Sequence, residues 1–177
     1  MAITYITDPE YHEVFLGGVH PKVSPTVKHA VLAGTFVALF SSSGKRFGQT
    51  GPEWRMHIDT PRGRVELLPD VSFYAYEQLR TLSDDARDYS PCAPLVAVEI
   101  RSVGDSLTYL VQKIAVYLAH GSAVVFDVDP TALTITAHTG EGDVRVLPAE
   151  DHFSDNRIAW LSFRPIDIFA DLDFPED

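Results

Sequence analysis

Leu95-Val-Ala-Val-Glu-Ile100, a helical repeat from about Ser106 to His120, and Ala123-Val-Val-Phe-Asp-Val128 follow one another along the chain, and this order decides the fold. The two apolar runs are almost unbroken, as expected for strands covered on both faces. Ser106 can cap the intervening helix, and Gly121 ends it. Strand, helix, strand in that order implies a right-handed crossover, and therefore a sheet that is at least partly parallel.

Outward from this core, Tyr11-His-Glu-Val-Phe-Leu16, Gly17-Gly18 and Val19-His-Pro-Lys-Val23 read as two short strands around a glycine turn. A first helix follows. Ser24 is its expected cap, Pro25 suits the first turn, and Val27, Val31, Leu32, Phe36, Leu39 and Phe40 recur at helical spacing before a stop at Ser41-Ser-Ser-Gly44. Trp54 to Asp59, Arg64 to Leu68 and Pro69 to Tyr74 read as neighbouring strands of one sheet, with a turn at Pro61-Arg-Gly63. Leu133 to Ala137 and Val144 to Leu147 read as hairpin strands at the sheet edge. The expectation is an α/β chain of one domain over residues 1–177, with a mixed central β-sheet flanked by helices, additional antiparallel hairpins and an acidic tail over about 167–177.

Composition narrows the function. The 177 residues carry 25 acids against 14 bases, a formal charge of −11, with 45% hydrophobic and 22% charged residues, which fits a globular chain rather than a disordered one. The strongest apolar stretch, Val31 to Phe40, is far short of the roughly 20 residues of a bilayer span, and the first residues lack a basic leader, so no membrane partner is expected. Cys92 stands alone and cannot form an internal disulfide, which suits a reducing cytoplasm. The charge is uneven. Residues 167–177 hold five acids and no base, whereas Lys45, Arg46, Arg55, Arg62 and Arg64 outnumber Glu53 and Asp59 within 45–64. A solvated hairpin accounts for that basic strip more simply than an anion-binding surface.

Three side chains stand in unusual places: Asp70 at the head of a strand, Glu99 inside an apolar strand, and Lys113 on the following helix. A carboxylate in a covered strand must meet a cation, a donor or a cleft, since burial penalises its charge. Pairing of Glu99 with Arg101 or Arg64 is the structural alternative to a functional role. On a helical wheel, Leu107, Leu110, Val111, Ile114, Tyr117 and Leu118 form an apolar stripe. Lys113 falls on its edge, beside Ser106, Tyr109 and His120, where its ammonium can reach the end of the preceding strand. Convergent carboxylates suit a hard divalent cation, and a nearby ammonium can stabilise charge on a phosphodiester during hydrolysis.

Pro69-Asp70, Val98-Glu99-Ile100-Arg101-Ser102, Gln112-Lys113-Ile-Ala-Val-Tyr117-Leu-Ala-His-Gly121 and Val125-Phe-Asp-Val-Asp129-Pro130, in this order, resemble the Uma-type restriction endonuclease family of the PD-(D/E)XK nuclease superfamily. Tyr11-His-Glu13-Val-Phe-Leu-Gly-Gly18, Val23-Ser-Pro25 and His29 resemble its opening segment, so the likeness runs from about Tyr11 to Phe169. The resemblance implies a metal-dependent endonuclease, with DNA favoured over RNA, Mg²⁺ as cofactor with Mn²⁺ as a substitute, and a homodimer. It implies metal ligation by Asp70, Glu99 and the Ile100 backbone carbonyl, catalysis by Asp70, Glu99 and Lys113, and Glu13 as an accessory acid. Arg101 stands where most of the superfamily keeps lysine; it is a second accessory candidate but cannot act as a base near neutral pH. Ser102-Val103 replaces the family's Ser-Pro pair. Arg55, Arg62 and Arg64 are candidate phosphate contacts.

Other signals carry less. Gly44 to Gly51 lacks the closing Gly-Lys-Ser/Thr of a phosphate loop and reads as a mobile loop. The seven histidines have no zinc-site spacing, His29 reads as a packing residue of the first helix near the strand carrying Glu13, with support of a site ligand as the less favoured alternative, and Asp127 and Asp129 read as turn and cap groups. Trp54 and Trp160 read as core residues. Two rival functions are a catalytically silent nuclease fold used for interaction or regulation, and a metal-dependent hydrolase of small phosphoesters.

Overall fold

The structure is a computed structural model that describes residues 12–15, 17–22, 25–82, 89–102 and 104–173. Along the chain run β1 (His12–Phe15), β2 (Gly18–Pro21), α1 (Val27–Gly44), β3 (Gly48–Pro52), β4 (Met56–Thr60), β5 (Gly63–Leu67), β6 (Val71–Ala75) and α2 (Tyr76–Arg80). They are followed by β7 (Val96–Ile100), α3 (Leu107–Ala119), β8 (Val124–Asp129), β9 (Thr134–Thr139), β10 (Val144–Val146) and α4 (Pro165–Phe169). Six strands form a mixed sheet in the order β10-β9-β8-β7-β6-β3, and four form an antiparallel sheet in the order β2-β1-β5-β4.

The crossover is as expected from the sequence. β7 and β8 pair in parallel, with Glu99 opposite Asp127, and α3 connects them. Alternation along both strands builds two cores. Val96, Val98, Ile100, Val124, Phe126 and Val128 face Leu32, Phe36 and Phe40 of α1. Ala97 and Val125 face Leu110, Ile114 and Tyr117 of α3, over which the smaller sheet closes with Phe15, Met56, Ile58, Val65 and Leu67. The apolar burial on both faces explains why β7 and β8 lack the alternation of a half-exposed strand.

Several expectations need correction. β4 and β5 belong to the smaller sheet, but β6 pairs with β3 and β7 in the larger one, so the strands read from Trp54 to Tyr74 are divided between two sheets. The chain changes sheet at Leu68 to Asp70. Part of the expected glycine loop is β3, which pairs along its whole length with β6. Gly48 lies directly against the Tyr74 backbone carbonyl, an approach that a Cβ would block. α1 continues through Ser41-Ser-Ser-Gly44 rather than stopping before it. Its cap is Thr26, whose hydroxyl accepts from the His29 N–H; Ser24 lies outside the described residues, as do Tyr11, Val103 and the end of the acidic tail at 174–177.

The buried face of α3 is turned toward Lys113 relative to the apolar stripe expected from the sequence. Leu107 and Val111 are exposed, whereas Leu110, Lys113, Ile114 and Tyr117 are buried, so Lys113 lies within the inward face and not on its border. Tertiary packing against two sheets selects that face, and the helix's own apolar count does not. Trp54 and Trp160 are partly buried, Trp54 against Tyr74 and Trp160 against Phe73.

Candidate active site

The change of sheet at Leu68 to Asp70 brings the end of β2, the head of β6, the end of β7 and the inward face of α3 to one cavity of about 460 Å³. Glu13, Lys22, His29, Asp70, Glu99 and Lys113 line it, together with Ile100. The three carboxylates and Lys113 are each less than 7% exposed.

Asp70 is held from two sides. Its Oδ2 accepts the Ile100 N–H at 2.7 Å and lies 3.1 Å from His29 Nε2, while Oδ1 accepts from Lys22 Nζ at 2.7 Å. Burial alone raises a carboxyl pKa, but Lys22 and the His29 contact outweigh it and hold Asp70 well below the usual aspartate value. His29 therefore reaches across to Asp70 and is not simply a packing residue of its helix.

Glu99 is paired with neither Arg101 nor Arg64. Its Oε2 accepts from Lys113 Nζ at 2.8 Å and its Oε1 from the Tyr117 hydroxyl at 2.5 Å. Lys113 makes a second contact, 2.8 Å from Glu13 Oε1. Glu13 is fixed in turn by the Leu68 N–H at 2.9 Å and the Tyr109 hydroxyl at 2.9 Å. Burial, with Asp70 and Glu13 nearby, pushes Glu99 up to about 7 despite the opposing Lys113 ammonium. For Lys113 burial acts in the other direction and is overcome by Glu99, Glu13 and Asp70, which hold the ammonium protonated above the ordinary lysine value. A lysine so held is a fixed positive charge and not a base.

The remaining candidates lie elsewhere. Arg101 turns to β8, where it forms a two-pronged pair with Asp127 (2.7 and 2.6 Å) and reaches Asp129 at 3.1 Å. Asp129 also accepts the N–H groups of Thr131 and Ala132, the expected turn-capping role. Arg55, Arg62 and Arg64 do not line the cavity. Arg55 binds the His12 carbonyl and lies 3.6 Å from Glu66, and Arg64 pairs with Asp59 on the β4–β5 hairpin. Lys22 and Tyr117 are the components sequence reasoning missed as site residues. Tyr117 was legible as an inward residue one helical turn beyond Lys113; Lys22, in a connection, gave no signal.

The sequence profile of the Uma2 family, described as putative restriction endonucleases, matches residues 4–164. The chain belongs to this family. Among solved structures, this Uma2 chain is similar to a putative nuclease belonging to DUF820 from Anabaena variabilis ATCC 29413, with TM-score 0.80 and 21% sequence identity over 91% of this chain and 90% of that one. The likeness establishes the nuclease-like fold. No match was found among curated proteins.

Among the groups lining the cavity, carboxylate and carbonyl oxygens are the candidate donors toward a cation. Among the described residues no group of three or more His, Cys, Asp and Glu side chains is disposed to cage a metal. Asp70 and Glu99 nevertheless open on the same cavity as Ile100, and Asp70 Oδ1 with the Leu68 carbonyl already holds a cationic group, the Lys22 ammonium, at 2.7 Å from each. Two carboxylates and a backbone carbonyl fit a hard cation such as Mg²⁺, which keeps several of its waters.

Proposed function

We propose that this chain is a metal-dependent endonuclease that hydrolyses phosphodiester bonds, with DNA as its substrate. The observation that carries the reading is the convergence of Asp70, Glu99 and Lys113, from three separated parts of the chain, on one cavity. Asp70 and Glu99, with the Ile100 carbonyl, are the groups to hold Mg²⁺ or Mn²⁺. The bound cation would supply activation of water and neutralisation of phosphate charge.

The protein's own residues prepare that chemistry. The Ile100 N–H and His29 fix the Asp70 carboxylate, and Tyr117 fixes that of Glu99. Lys113, held between Glu13 and Glu99, presents a permanent positive charge to the cavity, placed to stabilise the excess negative charge of a pentavalent phosphorus. Its rigidity matters because a charge already oriented needs no rearrangement as the reaction proceeds. Tyr109 and the Leu68 N–H keep Glu13 in position behind it.

Family membership supports nucleic acid as the substrate, and the resemblance favours DNA and a homodimer. The test is nicking of supercoiled plasmid, with RNA and a small phosphodiester in parallel, in Mg²⁺, Mn²⁺ and excess chelator. Metal-dependent plasmid cleavage that disappears in Asp70→Ala, Glu99→Ala and Lys113→Ala supports the reading. Efficient cleavage in chelator, or retained cleavage in all three variants, contradicts it. Mass by light scattering checks the dimer.

A further inference from the structure

We propose that Lys22 is a tethered counter-cation that closes the metal-free site and withdraws from Asp70 when a divalent cation binds. The proposal rests on the metal-dependent reading above and adds a residue that regulates loading of the same site.

Lys22 follows β2 and precedes α1, so it belongs to a connection and not to a paired strand. Its ammonium lies 2.7 Å from both Asp70 Oδ1 and the Leu68 carbonyl, and its side chain is only 12% exposed. The arrangement is that of a cation bound between two oxygens, with the cation supplied by the chain.

Three observations indicate that Lys22 is the group to leave. The first is its attachment. Asp70 Oδ2 is committed to the Ile100 N–H and His29, whereas Oδ1 is held by Lys22. Lys113, by contrast, is gripped by two carboxylates, Glu13 and Glu99, and is more deeply buried than Lys22.

The second is space. Mg²⁺ binds oxygen at roughly 2.0–2.1 Å and brings its own hydration shell, so an ammonium seated on the same carboxylate oxygen obstructs it. The third is charge. Metal binding requires the carboxylate ligands to be ionised; Glu13, Asp70 and Glu99 then bring three negative charges against the two ammoniums of Lys22 and Lys113. A divalent cation added beside both lysines gives four positive charges against three; with Lys22 withdrawn the charges balance. In a buried site that difference opposes joint occupancy.

The experiment measures Mn²⁺ binding by electron paramagnetic resonance in the wild-type chain, in K22M, and in K28M, which removes an exposed lysine of α1 as a control for net charge. In parallel, the rate of acetylation of Lys22 in the wild type is followed by mass spectrometry with and without Mn²⁺. We expect K22M to bind Mn²⁺ about tenfold more tightly, a change equivalent to one unit of pKa. K28M should stay within about twofold of wild type, as for an exposed charge screened by salt, and Mn²⁺ should make Lys22 react faster.

Unchanged or weaker binding by K22M overturns the proposal, as does tighter binding without faster acetylation, which is a through-space effect and not withdrawal. If K22M does not fold, the acetylation rate of the wild type decides alone. Mn²⁺ binding to the wild type with Lys22 reactivity unchanged refutes the withdrawal while leaving the nuclease reading intact. No Mn²⁺ binding by either wild type or K22M removes both.

Discussion

The ammonium of Lys113 and the carboxylate of Glu99 meet at 2.8 Å in a site from which both are almost wholly withdrawn from solvent. Fourteen residues separate them in the chain, and the β7–α3 crossover closes that gap. A buried pair of this kind is weak evidence for stability, because desolvation offsets much of the attraction. Removing one partner is different, since an uncompensated charge is left behind. Lys113→Met should therefore lose about 3–5 kcal/mol in urea unfolding as well as all cleavage. Adding Glu99→Gln should restore part of the stability and none of the activity; recovery of cleavage would place the essential cation elsewhere.

The raised pKa of Glu99 sets a pH dependence. Its value near 7 in the fold exceeds the ordinary glutamate value of 4.5, so between those limits the native state binds more protons than the unfolded one. Stability of the metal-free chain should fall as pH rises from about 4.5 to about 7 through this group. Asp70 acts in the opposite sense: its pKa is depressed, so its contribution is present above the ordinary value of 3.8 and is lost on further acidification. Thermal melts in chelator should show the first slope in wild type and its loss in Glu99→Gln. An equal slope in both would assign it to another group.

Arg101 should be structural. Its guanidinium holds Asp127, which is 5% exposed and stands beside Glu99 in the sheet. Arg101→Ala leaves that carboxylate without its strongest partner and should cost about 1.5–3 kcal/mol, the usual range for a charged hydrogen bond. After correction for the folded fraction, Mn²⁺ affinity should be unchanged. A loss of affinity beyond that correction would return Arg101 to the site.

Gly48 tests the unexpected strand. Gly48→Ala drives a Cβ into the Tyr74 carbonyl and the Phe73 ring, and should destabilise by about 1–3 kcal/mol. Gly34→Ala, where nothing stands nearby and the helical backbone favours alanine, should be neutral or slightly stabilising. A neutral Gly48→Ala would show that β3 is not packed against β6 as described.

These residues also show what the sequence disclosed. β7, α3 and β8 were legible because burial on both faces leaves unbroken apolar runs and because parallel pairing requires a crossover. Glu99 was legible as a carboxylate inside an apolar strand, whereas Asp70 at a strand head and Lys113 on the edge of the helical stripe stood out by position and by the family resemblance. β3 was not, since Gly48-Gln-Thr-Gly-Pro52 has the composition of a turn; its strand depends on the close approach to β6 that Gly48 permits. The division of β5 and β6 between sheets was equally hidden, because alternation within a strand shows which residues share a face but not which strand lies alongside. Lys22 was illegible for a related reason: its partner is 48 residues away, and nothing local distinguishes it from a lysine in solvent.

The most direct test of the central claim is anomalous diffraction from a crystal soaked in Mn²⁺. The expected result is a single strong peak within bonding distance of the Asp70 and Glu99 carboxylates and the Ile100 carbonyl, with Lys113 still against Glu13. No peak there at saturating Mn²⁺, or a peak confined to the acidic surface, would contradict it.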